Sequence, residues 1–302
     1  MALLIAAVVF ALVFAFSGVM FVRELRESKK EAETFEELAA LRLPQDASSV
    51  RAESRPTGTA KPVSIPGPTA VTGDTSLDTP ARMPQAEETI EPDAAETPEE
   101  DQSEEGTEER KPLKRYLPLY ELNSDFFAWI TIPGTNVDYP VMYNAKDPLK
   151  YLGHDFFGSF SYAGVPYMDV DCDPNGDFFL IYGHKMNDGS MFADLVSYDK
   201  KSFWETHKEI WFDTLYEERT YEVVLAMRAK VLDSDDETGF RYYDYTSLDT
   251  EEAFKSYMRQ AKRLARYDTG VEVSFGDELL VLSTCYHYTT NGRFVIIAKR
   301  IA

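Results

Sequence analysis

Leu279-Leu280-Val281-Leu282-Ser283-Thr284-Cys285, followed after seven residues by Arg293-Phe294-Val295-Ile296-Ile297-Ala298, is the stretch from which the fold is read. Two apolar runs of strand length joined by a short loop pair antiparallel, so the end of the first lies beside the start of the second. That register makes Cys285 and Arg293 neighbours. A thiol beside a guanidinium has two chemical consequences: the positive charge favours the thiolate, and its donors can stabilise an oxyanion formed when a thiolate attacks a carbonyl.

Working outward, further strand-like runs lie at 128–132, 137–142, 178–182, 220–231, 271–275, 278–283 and 293–299, separated by turn residues such as Pro133-Gly134-Thr135-Asn136. Many short strands of this kind predict a mainly β barrel or sandwich. One helix is expected to interrupt them over Ser247 to Tyr267, where Phe254, Tyr257, Met258, Ala261, Leu264 and Ala265 keep helical spacing. Asp249 and Glu252 are placed there like a capping pair. The opposite face carries Arg259, Lys262, Arg263 and Arg266, and such a face is either solvated or meets an anionic partner.

A proton carrier must come from four histidines. His184 follows the run 178–182 through Gly183, at a strand end where side chains are presented rather than enclosed. His207 falls in a polar, helical-looking stretch, Lys200 to Glu209, and His154 in a loop before Asp155-Phe156-Phe157. His287 stands two residues after Cys285. From spacing alone, a Cys-His nucleophilic site and a buried structural cysteine are both open readings.

Composition narrows the classes. Two cysteines, Cys172 and Cys285, exclude a disulfide framework and a multi-cysteine zinc site. Cys172 reads as a free side chain at a turn; the surrounding Asp171-Cys172-Asp173-Pro174-Asn175-Gly176-Asp177 starts like a calcium loop, but its twelfth position is Tyr182 rather than Glu. A net charge of −21 disfavours phosphate-backbone binding, so no nucleic-acid partner is expected. More than half of that charge sits in one run, since Glu87 to Glu109 holds 12 acidic and no basic side chains.

Three parts follow along the chain. Residues 1–22 carry no charge and are long enough for a membrane-spanning helix, with a cleaved signal peptide as the competing reading. Residues 23–112 read as a juxtamembrane helix to about Leu43 and then, from Pro44, a Pro- and Glu-rich linker with too little apolar surface to fold. Residues 113–302 hold all three Trp and form one folded domain. Arg23, Arg26, Lys29 and Lys30 by themselves would hold the C-terminal side of a span in the cytoplasm.

At the site residues the sequence resembles a family. Leu282-Ser283-Thr284-Cys285 with Arg293 downstream is similar to the active-site signature of the sortases, and 182–195, YGHKMNDGSMFADL, is similar to the catalytic-histidine segment of their class B branch. Trp129 to Thr135, Tyr139-Pro140-Val141, Tyr151-Leu152 and His154-Asp155-Phe156 resemble the start of that domain. The resemblance implies an eight-stranded β-barrel with peripheral helices, including a long helix before the cysteine-bearing hairpin. It implies a cysteine transpeptidase anchored as a single-pass protein in a Gram-positive cell membrane with its catalytic domain outside, against the local charge rule. Its partners would be sorting-signal peptides of secreted surface proteins and an amine of a peptidoglycan precursor or pilin. Cys285 would be the nucleophile, His184 the acid and base, and Arg293 the oxyanion or substrate clamp, while Leu152, Ser283 and Thr284 match peptide-contacting positions. No metal and no cofactor is implied. Pro148 stands where class B members commonly have asparagine, and Tyr286-His287-Tyr288 where acidic or small residues are common.

Overall fold

A computed structural model of the chain describes residues 2–42, 110–233, 236 and 239–302. The chain divides into two units, Met1–Val63 with Pro112–Ala302, and Ser64–Lys111. The second unit, and with it nearly all of the expected linker, lies outside the described residues apart from Arg110 and Lys111.

The first unit is built on eight strands: β1 (Phe126–Thr131), β2 (Asp138–Met142), β3 (Tyr167–Met168), β4 (Phe178–Tyr182), β5 (Glu209–Thr214), β6 (Thr220–Lys230), β7 (Leu279–Cys285) and β8 (Gly292–Arg300). They close into a barrel in the order β1-β2-β3-β4-β7-β8-β6-β5. Closure removes exposed sheet edges, and the near-continuous apolar character of β4 and β7 fits strands covered on both faces. β7 lies parallel to β4 on one side and antiparallel to β8 on the other. Its residues from Leu279 through Thr284 are all buried.

Among the described residues four α-helices accompany the barrel. α1 (Ala2–Leu41) runs unbroken, and α2 (Leu117–Leu122) leads into β1. α3 (Lys201–Trp204) precedes β5, and α4 (Glu251–Leu264) precedes β7. α4 buries Phe254, Tyr257, Met258 and Ala261, one stripe at helical spacing. Tyr257 sets its ring edge-on to Phe178 of β4 at 5.7 Å. The C-terminal part of α1 belongs to the same core: Leu38 is buried, and the ring of Phe35 meets Tyr139 of β2 edge-on at 5.1 Å. Among the described residues no helix is long and apolar enough to cross a membrane. Most side chains of 1–22 lie outside the described set, so the expected span rests on the sequence.

Several expectations change. Residues 271–275 form no strand; this extended segment lays Val271 and Val273 against the core. α4 is capped by Thr250, whose hydroxyl accepts the Ala253 N–H at 3.2 Å, while Asp249 accepts from the Ser247 hydroxyl. The stretch 200–209 is helical only over α3, because Glu209 already begins β5. β3 is two residues long and β5 shows little alternation, so neither announces itself in sequence.

Candidate active site

Three adjacent strands deliver the predicted site to one end of the barrel. Across β7 and β8, Cys285 pairs directly with Arg293. Across β4 and β7, Tyr182 pairs with Ser283, and the Gly183 N–H continues the ladder by donating to the Ser283 carbonyl at 3.1 Å. The Thr284 hydroxyl donates back to the Gly183 carbonyl at 2.8 Å. His184 therefore leaves β4 beside the end of β7 that carries Cys285. Cys285 and His184 are half-buried, whereas Arg293 is 5% exposed.

Gly183 is required by packing. A Cβ there would sit 2.6 Å from the Phe192 ring, which is fully buried beneath the histidine turn. The His184 carbonyl accepts the Phe192 N–H at 2.8 Å and closes that turn.

The imidazole is oriented by a group that sequence reading did not assign this task. His184 Nε2 donates to the backbone carbonyl of Leu152 at 2.8 Å, which fixes Nε2 as the protonated nitrogen and leaves Nδ1 for proton exchange. The Leu152 loop is itself held closely. The Val165 N–H donates to the Tyr151 carbonyl at 3.0 Å, and Gly164 adopts φ +58° where a Cβ would run into that same carbonyl. The Ser161 hydroxyl donates to Glu31 of α1 and accepts the N–H groups of Ala163 and Gly164. On the other flank, Ser28 of α1 donates to Asp188 in the loop after His184. α1 thus holds the loops on both sides of the imidazole.

Ser283 and Thr284 are 1% and 2% exposed. Their hydroxyls are engaged inside the protein, Ser283 with the Tyr242 hydroxyl at 2.8 Å and Thr284 with Gly183. Tyr242 and Tyr167 were not legible as site residues. Burial pushes both phenols well above their ordinary range, with Arg293 pulling the other way, so both stay protonated beside the site. Tyr167 of β3 stands opposite Tyr182, which donates to Asp169 at 2.9 Å.

Two of the other histidines, His154 and His207, sit in structural settings. His154 uses Nδ1 on the Lys150 carbonyl, and His207 stacks on Phe203 with ring centroids 4.0 Å apart. His287 is exposed in the β7–β8 loop. Both cysteines are free. Cys172 is buried, which pushes its thiol up to about 12, and its segment is a turn in which the Asp173 carboxylate accepts the Asn175 N–H.

A closed eight-stranded barrel with a thiol, a guanidinium and an imidazole at the ends of three neighbouring strands defines a cysteine acyl-transfer scaffold. Comparison with known proteins makes this specific. The sortase domain profile matches residues 130–301. Sortase B of Staphylococcus aureus is 31% identical over 192 residues, covering 62% of this chain and 75% of the relative. Sortase B of Listeria monocytogenes is 34% identical over 193 residues, covering 61% and 72%. The solved Staphylococcus aureus sortase B-substrate complex superposes with a TM-score of 0.55 at 30% identity, covering 62% of this chain and 84% of that one. The chain belongs to the sortase family, and within it is a cysteine transpeptidase of class B.

Proposed function

We propose that this sortase joins a sorting-signal peptide to an amine through a thioacyl intermediate on Cys285. The observation that carries the reading is the convergence of Cys285 and Arg293 across one strand pair with His184 at the end of the next strand. Cys285 thiolate attacks the carbonyl of the sorting motif's threonine, and the Arg293 guanidinium offsets the oxyanion charge. His184 Nδ1 gives its proton to the departing amine as the tetrahedral species collapses to a thioester. An incoming amine then attacks the thioester, loses its proton to His184, and releases Cys285. The chemistry requires no metal or redox cofactor. That a Staphylococcus aureus relative has been solved with substrate supports a peptide partner, which in this reading lies along the Leu152 loop beside Cys285, since Ser283 and Thr284 are buried with their hydroxyls engaged.

In this reading residues 1–22 anchor the chain in the membrane, 23–112 act as helix and tether, and 113–302 carry catalysis outside the cell. The uncharged run and the self-repelling acidic segment support that arrangement. The acceptor is a cell-wall or pilin amine.

The test mixes the protein with a panel of sorting-motif peptides and an amine such as triglycine or diaminopimelate and identifies products by mass spectrometry. A peptide-amine adduct formed by wild type, and reduced at least a hundredfold in Cys285→Ala, His184→Ala and Arg293→Ala, is expected. Release of free acid alone, in the presence of amine, would assign a hydrolase instead.

A further inference from the structure

We infer that Arg228 of β6 is a positioning residue for the reaction, holding the loop that joins the nucleophile to Arg293. The inference rests on the acyl-transfer reading above. Residues 286–291 leave β7 directly after Cys285 and re-enter the barrel at Gly292, one residue before Arg293, so the shape of this loop sets both chemical groups. It is tightly wound. The Tyr286 N–H donates to the Gly292 carbonyl at 2.9 Å, the Tyr288 N–H to the Tyr286 carbonyl at 2.8 Å and the Gly292 N–H to the Thr289 carbonyl at 3.1 Å. A Cβ at Gly292 would run into the Tyr286 carbonyl.

Arg228 ties this loop to the barrel. Its guanidinium lies 5.4 Å from the ring centroid of Tyr286 and 5.6 Å from that of Tyr288. The Tyr288 hydroxyl donates to the carbonyl of the next β6 residue, Ala229, at 2.7 Å, and the Tyr286 ring meets Phe294 edge-on at 5.6 Å. Asp199 orients the cation, accepting from its Nε at 2.9 Å and from its terminal nitrogen at 2.6 Å.

The strand register separates this contact from the chemistry. Arg228 pairs with Phe294 and Phe294 with Thr284, while Ala229, Arg293 and Cys285 make the neighbouring row. Side chains alternate along a strand, so the row of Arg228 faces the other side of the sheet from Cys285. Arg228 therefore acts on Cys285 through the loop backbone. Surface ion pairs and cation–π contacts contribute little to stability by themselves, whereas displacing reacting groups by about 1 Å costs on the order of a hundredfold in rate. A positioning role and a merely stabilising one thus separate in measurement.

The test uses the full chain with a sorting-motif peptide and triglycine, reading kcat and KM from amide product and backbone hydrogen exchange over residues 285–293 by mass spectrometry. Arg228→Gln should lower kcat at least about tenfold with KM within about threefold of wild type, and should speed exchange in the loop. Arg228→Lys keeps a cation near the rings but gives up the fork on Asp199, and should regain about threefold of the lost kcat. Arg266→Gln removes the other guanidinium on Asp199 and leaves the tyrosine contacts in place; its kcat and loop exchange should stay within about twofold of wild type. In a Tyr286→Leu/Tyr288→Leu background, adding Arg228→Gln should cost less than about twofold more, because the contacts it acts through are already gone. Circular dichroism checks that each variant keeps the fold. Wild-type kcat in Arg228→Gln, an equal loss in Arg266→Gln, or a full further loss in the leucine background would overturn the inference. If wild type forms no amide product, the acyl-transfer reading falls, and exchange alone decides whether Arg228 holds the loop: unchanged exchange in Arg228→Gln would overturn that too.

Discussion

Ser283 stands two residues before Cys285 with its hydroxyl bonded to Tyr242 and almost no surface. Removing the phenolic oxygen leaves the serine unsatisfied in a dry setting, a loss of about 1 to 2 kcal/mol. Tyr242→Phe should therefore lower unfolding free energy by that amount in urea titration, and Tyr242→Phe combined with Ser283→Ala should recover most of it. The two thiols should separate by environment. Cys172 is buried with its thiol pushed up to about 12, whereas Cys285 is half-buried at a strand end. Iodoacetamide at pH 8 should alkylate Cys285 in the native protein and reach Cys172 only after denaturation, as peptide mapping would show. Hairpin pairing placed Cys285 beside Arg293 because that contact is local in the chain, whereas His184 was joined to them by the family resemblance, since the β4–β7 pairing that brings it in links distant parts of the sequence. Sequence pattern could not show Tyr242, Tyr167 or the Leu152 carbonyl, since each reaches the site across the barrel and none belongs to a residue type that signals such a role.

At the scale of elements, Asp199 ties β6 to the end of α4 by accepting from Arg228 at 2.6 Å and Arg266 at 2.6 Å. Burial raises its carboxyl, but these two guanidinium contacts outweigh burial and hold it below the usual carboxylate range. A carboxylate depressed in the folded state contributes stability above its unfolded value, near pH 4, and that contribution fades as pH falls through the folded value. Asp199→Asn should destabilise by about 1 kcal/mol at pH 7, with the difference from wild type closing below about pH 4. α4 itself was legible from its apolar spacing, though the expected boundaries, 247–267, exceeded the observed Glu251–Leu264. The error has a local cause: Thr250, rather than Asp249, supplies the capping oxygen, and both are good caps. The run 271–275 has the composition of a strand and lacks a neighbour to pair with, which is a fact of tertiary arrangement.

Across the whole molecule, the catalytic barrel extends beyond the region that looks globular in sequence. Phe35 and Leu38 of α1 enter the core, and Ser28 and Glu31 hold the loops flanking His184. The good helix formers of 23–43 gave a helix but no indication that it packs onto β2. Burying a large apolar side chain is worth about 1.5 to 3 kcal/mol. The fragment 113–302 should therefore unfold at lower urea concentration than 24–302 by several kcal/mol of stability, and should turn over peptide more slowly at equal saturation. A fragment as stable and as active as 24–302 would show that α1 is dispensable to the barrel.

Covalent capture of the acyl group tests the central claim most directly. Intact-mass spectrometry would follow the 24–302 protein after addition of a sorting-motif peptide, and again after triglycine. Wild type and Cys172→Ala should gain the mass of the peptide's N-terminal half and surrender it to triglycine, while Cys285→Ala gains nothing. An adduct that persists in Cys285→Ala, or amide product formed by that variant at the wild-type rate, would contradict a thioacyl enzyme at Cys285.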